Sequence, residues 1–248
     1  MIVREIQARS ILSRSKIYDY VVNPYVGCRH GCSYCYARFM KRFTGHREAW
    51  GEFVDAKINA ADLLRRELTR KQPGRVWVSG VCDAYQPLEK RYRLTRQCLE
   101  LLFQHGWPVT VQTRSPLVLR DLDLLRAAQD LEVGLSVTTA EDRFRRLFER
   151  CAPPIPARLE ALAELHAAGV RTFAMIAPLL PGAEGLAEAL RGKVDRVLID
   201  RMNYAHANAL YRRHQLEREL SPGWFEQTAR RLSAAFGRQG VECQLVFY

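Results

Sequence analysis

A strand-then-helix alternation repeats along the 248 residues, and it narrows the fold more than any other feature. Apolar runs at 20–26, 75–79, 108–112, 131–137, 170–176 and 194–199 predict six strands. Between them, apolar residues recur at helical spacing. Ala61, Leu64 and Leu68 mark a helix over 59–71, and Leu94, Cys98, Leu101 and Leu102 mark the next. Further helices are expected at 36–43, 119–129 and 157–168, the last stopped by Gly169. Units of this kind join parallel strands through right-handed crossovers. The expected class is therefore α/β, a partial (β/α)6 barrel with mostly parallel strands, followed by a short C-terminal helix at 224–236 and strand at 242–247. A chain of this length with 48% apolar residues suits a single domain, with a core over about 20–204 and an extension over 205–248.

In such folds the loops after the strands carry the chemistry. The loop after the first expected strand reads Gly27-Cys-Arg-His-Gly-Cys-Ser-Tyr-Cys-Tyr36 and sets Cys28, Cys32 and Cys35 in C-x3-C-x2-C spacing. A closed structural zinc site uses four ligands, and an electron-carrying 4Fe-4S cluster usually uses four thiolates. Three cysteines leave one metal position for a substrate or cofactor. Gly27 and Gly31 permit the turns that aim three sulfurs inward, and Tyr34 offers a flat face beside the metal. Zinc completed by His30 or His46 is the alternative, although zinc motifs usually come as two separated ligand pairs. A disulfide reading fares worse, because three crowded cysteines cannot all pair and no secretory pattern precedes them.

The next loop, 79–89, opens unusually polar from an apolar strand. Backbone carbonyls near Gly80 and the carboxylate of Asp83 are placed to take the ammonium of an amino-acid cofactor, or else Asp83 and Gln86 cap the turn before Pro87. The hydroxyls of Ser136 and Thr138 can bond a ribose or satisfy loop backbone. The apolar run 175–182 can stack on an adenine. Lys57 and Arg158 can meet a cofactor carboxylate, or be solvated or paired within the fold. Cys98 reads as core, and Cys151 and Cys243 have no cluster spacing.

The formal charge of +11 attracts phosphates, yet 32 of the 38 basic residues are arginines scattered over the whole chain. Clusters such as Arg38-Phe-Met-Lys-Arg42 suit a groove for a nucleic-acid substrate. Residues 1–15 alternate apolar with basic and hold no apolar signal core, and no apolar run reaches the ~20 residues of a membrane span. The expectation is a cytoplasmic protein away from membranes, its oligomeric state open with a monomer favoured.

The cysteine spacing with its aromatic before the third cysteine, the loop Asp83-Ala-Tyr-Gln-Pro-Leu-Glu89, the stretch 154–162 and the turn 177–182 resemble the spore photoproduct lyase-like branch of radical SAM proteins, over about 23–204. That resemblance implies a barrel of the radical SAM type and a 4Fe-4S cluster on Cys28, Cys32 and Cys35. It also implies S-adenosylmethionine (SAM) on the fourth iron and an electron donor of ferredoxin or flavodoxin type. It further implies a 5′-deoxyadenosyl radical that abstracts hydrogen, on a nucleic-acid lesion or another substrate. Cys82 stands where the lyase carries its hydrogen-donating cysteine and many relatives carry threonine; a small buried residue is the other reading. The chain departs from the pattern in its shorter length and in Arg150, where the family has proline. A nucleic-acid-binding protein with a structural metal remains the competing class.

Overall fold

The computed structural model describes residues 1–246, so Phe247 of the expected closing strand lies outside the described residues. Two compact units emerge: Met1–Gly31 with Ala37–Val133, and Cys32–Tyr36 with Gly134 onward.

In the first unit, β1 (Ile2–Ile6), β2 (Leu12–Arg14), β3 (Tyr20–Val22) and β4 (Tyr25–Val26) precede the cysteine loop. After it come β5 (Phe53–Lys57), α1 (Ala60–Leu68), β6 (Val76–Val78), α2 (Glu89–Tyr92), α3 (Leu94–Gln104), β7 (Val109–Thr113) and α4 (Leu122–Ala127). β8 (Leu131–Ser136) begins in this unit and ends in the next. The strand order is β8-β7-β6-β3-β2, parallel at β3–β6 and β6–β7 and antiparallel at β2–β3. A smaller sheet, β1-β5-β4, pairs β1 parallel and β4 antiparallel to β5.

The expected first strand over 20–26 is thus two strands in two sheets. Pro24 has no N–H for a ladder, and the Asn23 side chain turns away to accept from the Val81 N–H and the Ser79 hydroxyl, both at 2.9 Å. The cysteine loop therefore follows β4 rather than the parallel strand itself.

In the second unit, α5 (Asp142–Phe148), α6 (Ile155–Ala167), β9 (Arg171–Ile176), α7 (Leu186–Ala189), β10 (Arg196–Ile199), α8 (Asn208–Arg213), α9 (Pro222–Arg238) and β11 (Glu242–Leu245) follow. Here the order is β11-β10-β9-β8, with β9–β10 and β10–β11 parallel. Gly134 lets β8 lie against Phe173, whose ring a Cβ at that position would meet at 2.2 Å. α6 ends as its sequence predicts, with Gly169 at φ +80 just beyond it. α9 starts where the Ser221 hydroxyl accepts the Trp224 N–H, and it buries Phe225, Ala229, Leu232 and Phe236.

The six expected strands are β3, β6, β7, β8, β9 and β10, each a neighbour of the next, which makes the architecture α/β and mostly parallel. Among the described residues, no helix is long and apolar enough to cross a membrane.

Candidate active site

The loop from Gly27 to Tyr36 is held at its start by the first unit. Gly27 sits at φ +85, and a Cβ there would come within 2.5 Å of the Phe53 carbonyl, so the position demands glycine. Gly31, at φ +58, packs against Gly51, where a Cβ would lie 2.8 Å from the Gly31 Cα. Buried Gln86 clamps the backbone, accepting the Arg29 N–H at 2.9 Å and donating to the Gly27 carbonyl at 3.3 Å. Cys28 is buried in this half.

Between the cysteines, buried His30 places Nε2 3.2 Å from the Asp83 carboxylate. Asp83 also accepts from the Tyr85 and Arg114 N–H groups at 2.9 and 2.7 Å and from the Thr113 hydroxyl. Burial opposes ionisation of Asp83, but His30 and these donors outweigh it and hold the carboxyl far below its ordinary range. Asp83 thus ties the loop to the end of β7, and its two oxygens face donors from this chain.

The end of the loop belongs to the second unit. Cys32 and Tyr34 are buried in a cluster with Phe148, Leu180, Ala207 and Tyr211, against which Cys35 packs. The Ser33 N–H donates to the Phe148 carbonyl at 2.8 Å. The Tyr34 hydroxyl donates to Glu149, which also accepts from the Thr138 hydroxyl at 2.9 Å and pairs with Arg158. Arg158 donates as well to the Pro153 and Ser136 carbonyls, at 2.9 and 3.0 Å. Both side chains of the pair are fully buried. Such a pair persists only when its remaining donors and acceptors are satisfied, and here they link the end of β8, the start of α6 and the tyrosine of the cysteine loop.

The sequence reading places Arg158, Asp83, Ser136 and Thr138 toward a cofactor. In the structure, Arg158, Asp83 and the Thr138 hydroxyl are engaged with the chain itself, and Ser136 gives its carbonyl to Arg158. Gly80 is half-buried, packed against Val21 and Trp77. Glu149, absent from the predicted site, is the hub of the second unit's network. Nothing local in the sequence marks it, because its partners are Tyr34, Thr138 and Arg158.

Cys82 is half-buried, packed against the cluster of Tyr25, Val54, Ala56, Leu88 and Leu94. Its Sγ lies 2.8 Å from the Ser79 hydroxyl. Burial pushes its pKa up to about 11, so the thiol keeps its hydrogen at neutral pH. Lys57 has its pKa lowered by burial, with Cys82 and Cys98 opposing the shift.

The three loop cysteines are not joined in disulfides. Among the described residues, no three His, Cys, Asp or Glu side chains are grouped to hold a single metal ion. An iron-sulfur cluster takes each thiolate on a different iron. The histidines that would complete a zinc site are turned to carboxylates: His30 to Asp83, and His46 through both ring nitrogens to Glu48 and Asp55, at 3.0 and 2.8 Å. The donor set therefore fits a cluster held by three thiolates better than a four-ligand zinc site.

The Radical SAM superfamily pattern matches residues 22–184. An uncharacterized protein of Methanocaldococcus jannaschii is 35% identical over 179 residues, 71% of this chain and 67% of that protein. A radical SAM Nalpha-GlyT isomerase of Pseudomonas phage M6 is 25% identical over 164 residues, 65% of this chain and 33% of that protein. Other uncharacterized relatives are matched over only 50% to 56% of their own length. A mutant spore photoproduct lyase, solved with bound AdoMet and dinucleoside spore photoproduct, superposes with a TM-score of 0.70 at 13% identity, covering 100% of this chain and 82% of that one. The chain belongs to the radical SAM superfamily and is a radical SAM enzyme, and its fold is similar to that of spore photoproduct lyase.

Proposed function

We propose that Cys28, Cys32 and Cys35 hold a 4Fe-4S cluster whose fourth iron binds SAM, and that the enzyme acts on a nucleic acid. The observation that carries the cluster reading is the loop itself: three thiols in eight residues, with buried polar anchors at both ends. When bound and reduced by one electron from a ferredoxin- or flavodoxin-type donor, the cluster supplies reductive cleavage of SAM to methionine and a 5′-deoxyadenosyl radical, which takes a hydrogen atom from substrate.

The chain's own residues prepare for that chemistry. Gln86 and the His30–Asp83 pair fix the backbone on which Cys28 stands. Tyr34, held by Glu149, fixes the backbone between Cys32 and Cys35. Gly80 follows β6 in the first unit, and Ser136 and the apolar turn 177–182 lie at the ends of β8 and β9 in the second; these are the positions assigned here to SAM. Cys82, protonated at neutral pH and turned toward the Ser79 hydroxyl, is the hydrogen donor to a substrate radical in this reading. The net charge of +11 and the dinucleoside spore photoproduct bound in a solved protein of similar fold support a nucleic-acid substrate.

Anaerobic reconstitution with iron and sulfide is expected to give a brown protein that, once reduced, converts SAM to 5′-deoxyadenosine. A colourless protein that keeps zinc and releases no 5′-deoxyadenosine would remove the cluster reading.

A further inference from the structure

The 3-10 helix Tyr36–Phe43, immediately after the last cysteine, carries three cations and three aromatic rings in eight residues and no acid. A 3-10 helix has three residues per turn, so residues three apart lie in one row. Phe39 and Arg42 share such a row. The Arg42 guanidinium lies over the Phe39 ring at 5.4 Å and over the Phe43 ring at 5.1 Å. Both rings are open to solvent, Phe39 at 42% and Phe43 at 69%. Burial does not account for them, since a large apolar ring gains nothing by staying in water.

Beside them runs an open cavity of about 600 Å³, lined by Arg38, Phe39, Lys41, Arg42, Gly45 and His46. The nearby acids are turned elsewhere: Glu48 and buried Asp55 lie 3.0 and 2.8 Å from the two ring nitrogens of His46. Lys41 donates to the Arg47 carbonyl at 3.0 Å, so its ammonium is held at this edge. At the helix's first residue, exposed Tyr36 stacks on Tyr204 with centroids 6.4 Å apart and planes 20° apart.

We infer that this groove is a docking platform for an unpaired stretch of polynucleotide, its phosphates on Arg38, Lys41 and Arg42 and its bases on the faces of Phe39 and Phe43. Cations interleaved with exposed rings match a chain that alternates phosphate with flat base. A paired duplex hides its base faces, so the rings select unpaired bases. The inference rests on the nucleic-acid reading of the substrate, but binding alone tests it, with no cluster or SAM present.

The test is fluorescence anisotropy of a labelled oligo(dT) and a labelled oligo(rU) titrated with the full chain at about 50 and 200 mM salt. Phe43→Ala and Phe39→Ala are expected to weaken binding roughly 5- to 150-fold, the span of one stacked base. Lys41→Ala and Arg42→Ala are expected to reduce the salt slope by about one each. Arg230→Ala, at an exposed position of α9, is expected to change neither, and a duplex of the same sequence is expected to bind more weakly. Preference between the two oligomers assigns the platform to DNA or RNA. Equal losses from Arg230→Ala and the helix variants, no effect of the two phenylalanines, or binding to anionic vesicles without binding to oligomers would each overturn the inference. Oligomer binding by a protein that never cleaves SAM would defeat the cluster proposal and leave this one standing; SAM cleavage with unaltered binding by the Phe variants would do the reverse.

Discussion

Glu149→Ala is expected to cost about 3–5 kcal/mol of stability in urea unfolding, because it leaves the fully buried Arg158 guanidinium without its carboxylate. The same change removes the acceptor of the Tyr34 hydroxyl and of Thr138. A second effect follows at the cysteine loop, where the segment between Cys32 and Cys35 keeps the Ser33–Phe148 hydrogen bond but loses its side-chain anchor. The variant is therefore expected to bind iron less tightly than the parent even where it remains folded. Tyr34→Phe separates the two consequences. It leaves the Glu149–Arg158 pair intact and deletes one hydrogen bond to a charged group, worth about 1.5–3 kcal/mol. The double change Glu149→Leu with Arg158→Met is expected to be less destabilising than the sum of its parts, since it strands no charge. Additive losses would mean that the pair is not the coupled hub described above.

Each of Cys28→Ala, Cys32→Ala and Cys35→Ala is expected to abolish both the iron-sulfur absorbance after anaerobic reconstitution and the formation of 5′-deoxyadenosine. Three thiolates on three irons leave no redundancy, so losing one leaves a second iron without a protein ligand. Cys98→Ala, a change in the core of α3, and Cys151→Ala, at an exposed position, are the controls and are expected to retain the cluster. Retention of SAM cleavage by any one of the three loop variants would show that the trio is not the ligand set.

Much of the frame was legible in the sequence for a simple reason. The strands β6 to β10 are short apolar runs, and β8 is buried at all six positions, so hydrophobicity alone reveals them. The small sheet was not legible. β1 lies exposed along nearly its whole length, and β5 holds Asp55 and Lys57, so neither reads as a buried run. α5 was hidden by its charges, since Asp142, Arg143, Arg145 and Arg146 mask the two phenylalanines that pack inward. The single strand expected over 20–26 failed at Pro24, whose missing N–H ended one ladder.

At the site, the cysteine spacing was local and so could be read. The anchoring networks join residues far apart in the chain, and periodicity carries no information about them. Tyr34 and Glu149 are separated by 115 positions, and His30 and Asp83 belong to different loops. Asp83 and Arg158 stood out in the sequence as charged residues in polar or matched segments. Their partners supply a role that the sequence could not: each holds one half of the cysteine loop in place.

The central claim is that three thiolates leave one iron of the cluster open. It is tested most directly by Mössbauer spectroscopy of the full chain reconstituted anaerobically with isotopically enriched iron, recorded before and after adding SAM. The account predicts about four irons per chain, with the signal of one of them changed by SAM and the other three unchanged. A spectrum that SAM leaves untouched although SAM is bound, or one showing all four irons held alike by protein ligands, would contradict it.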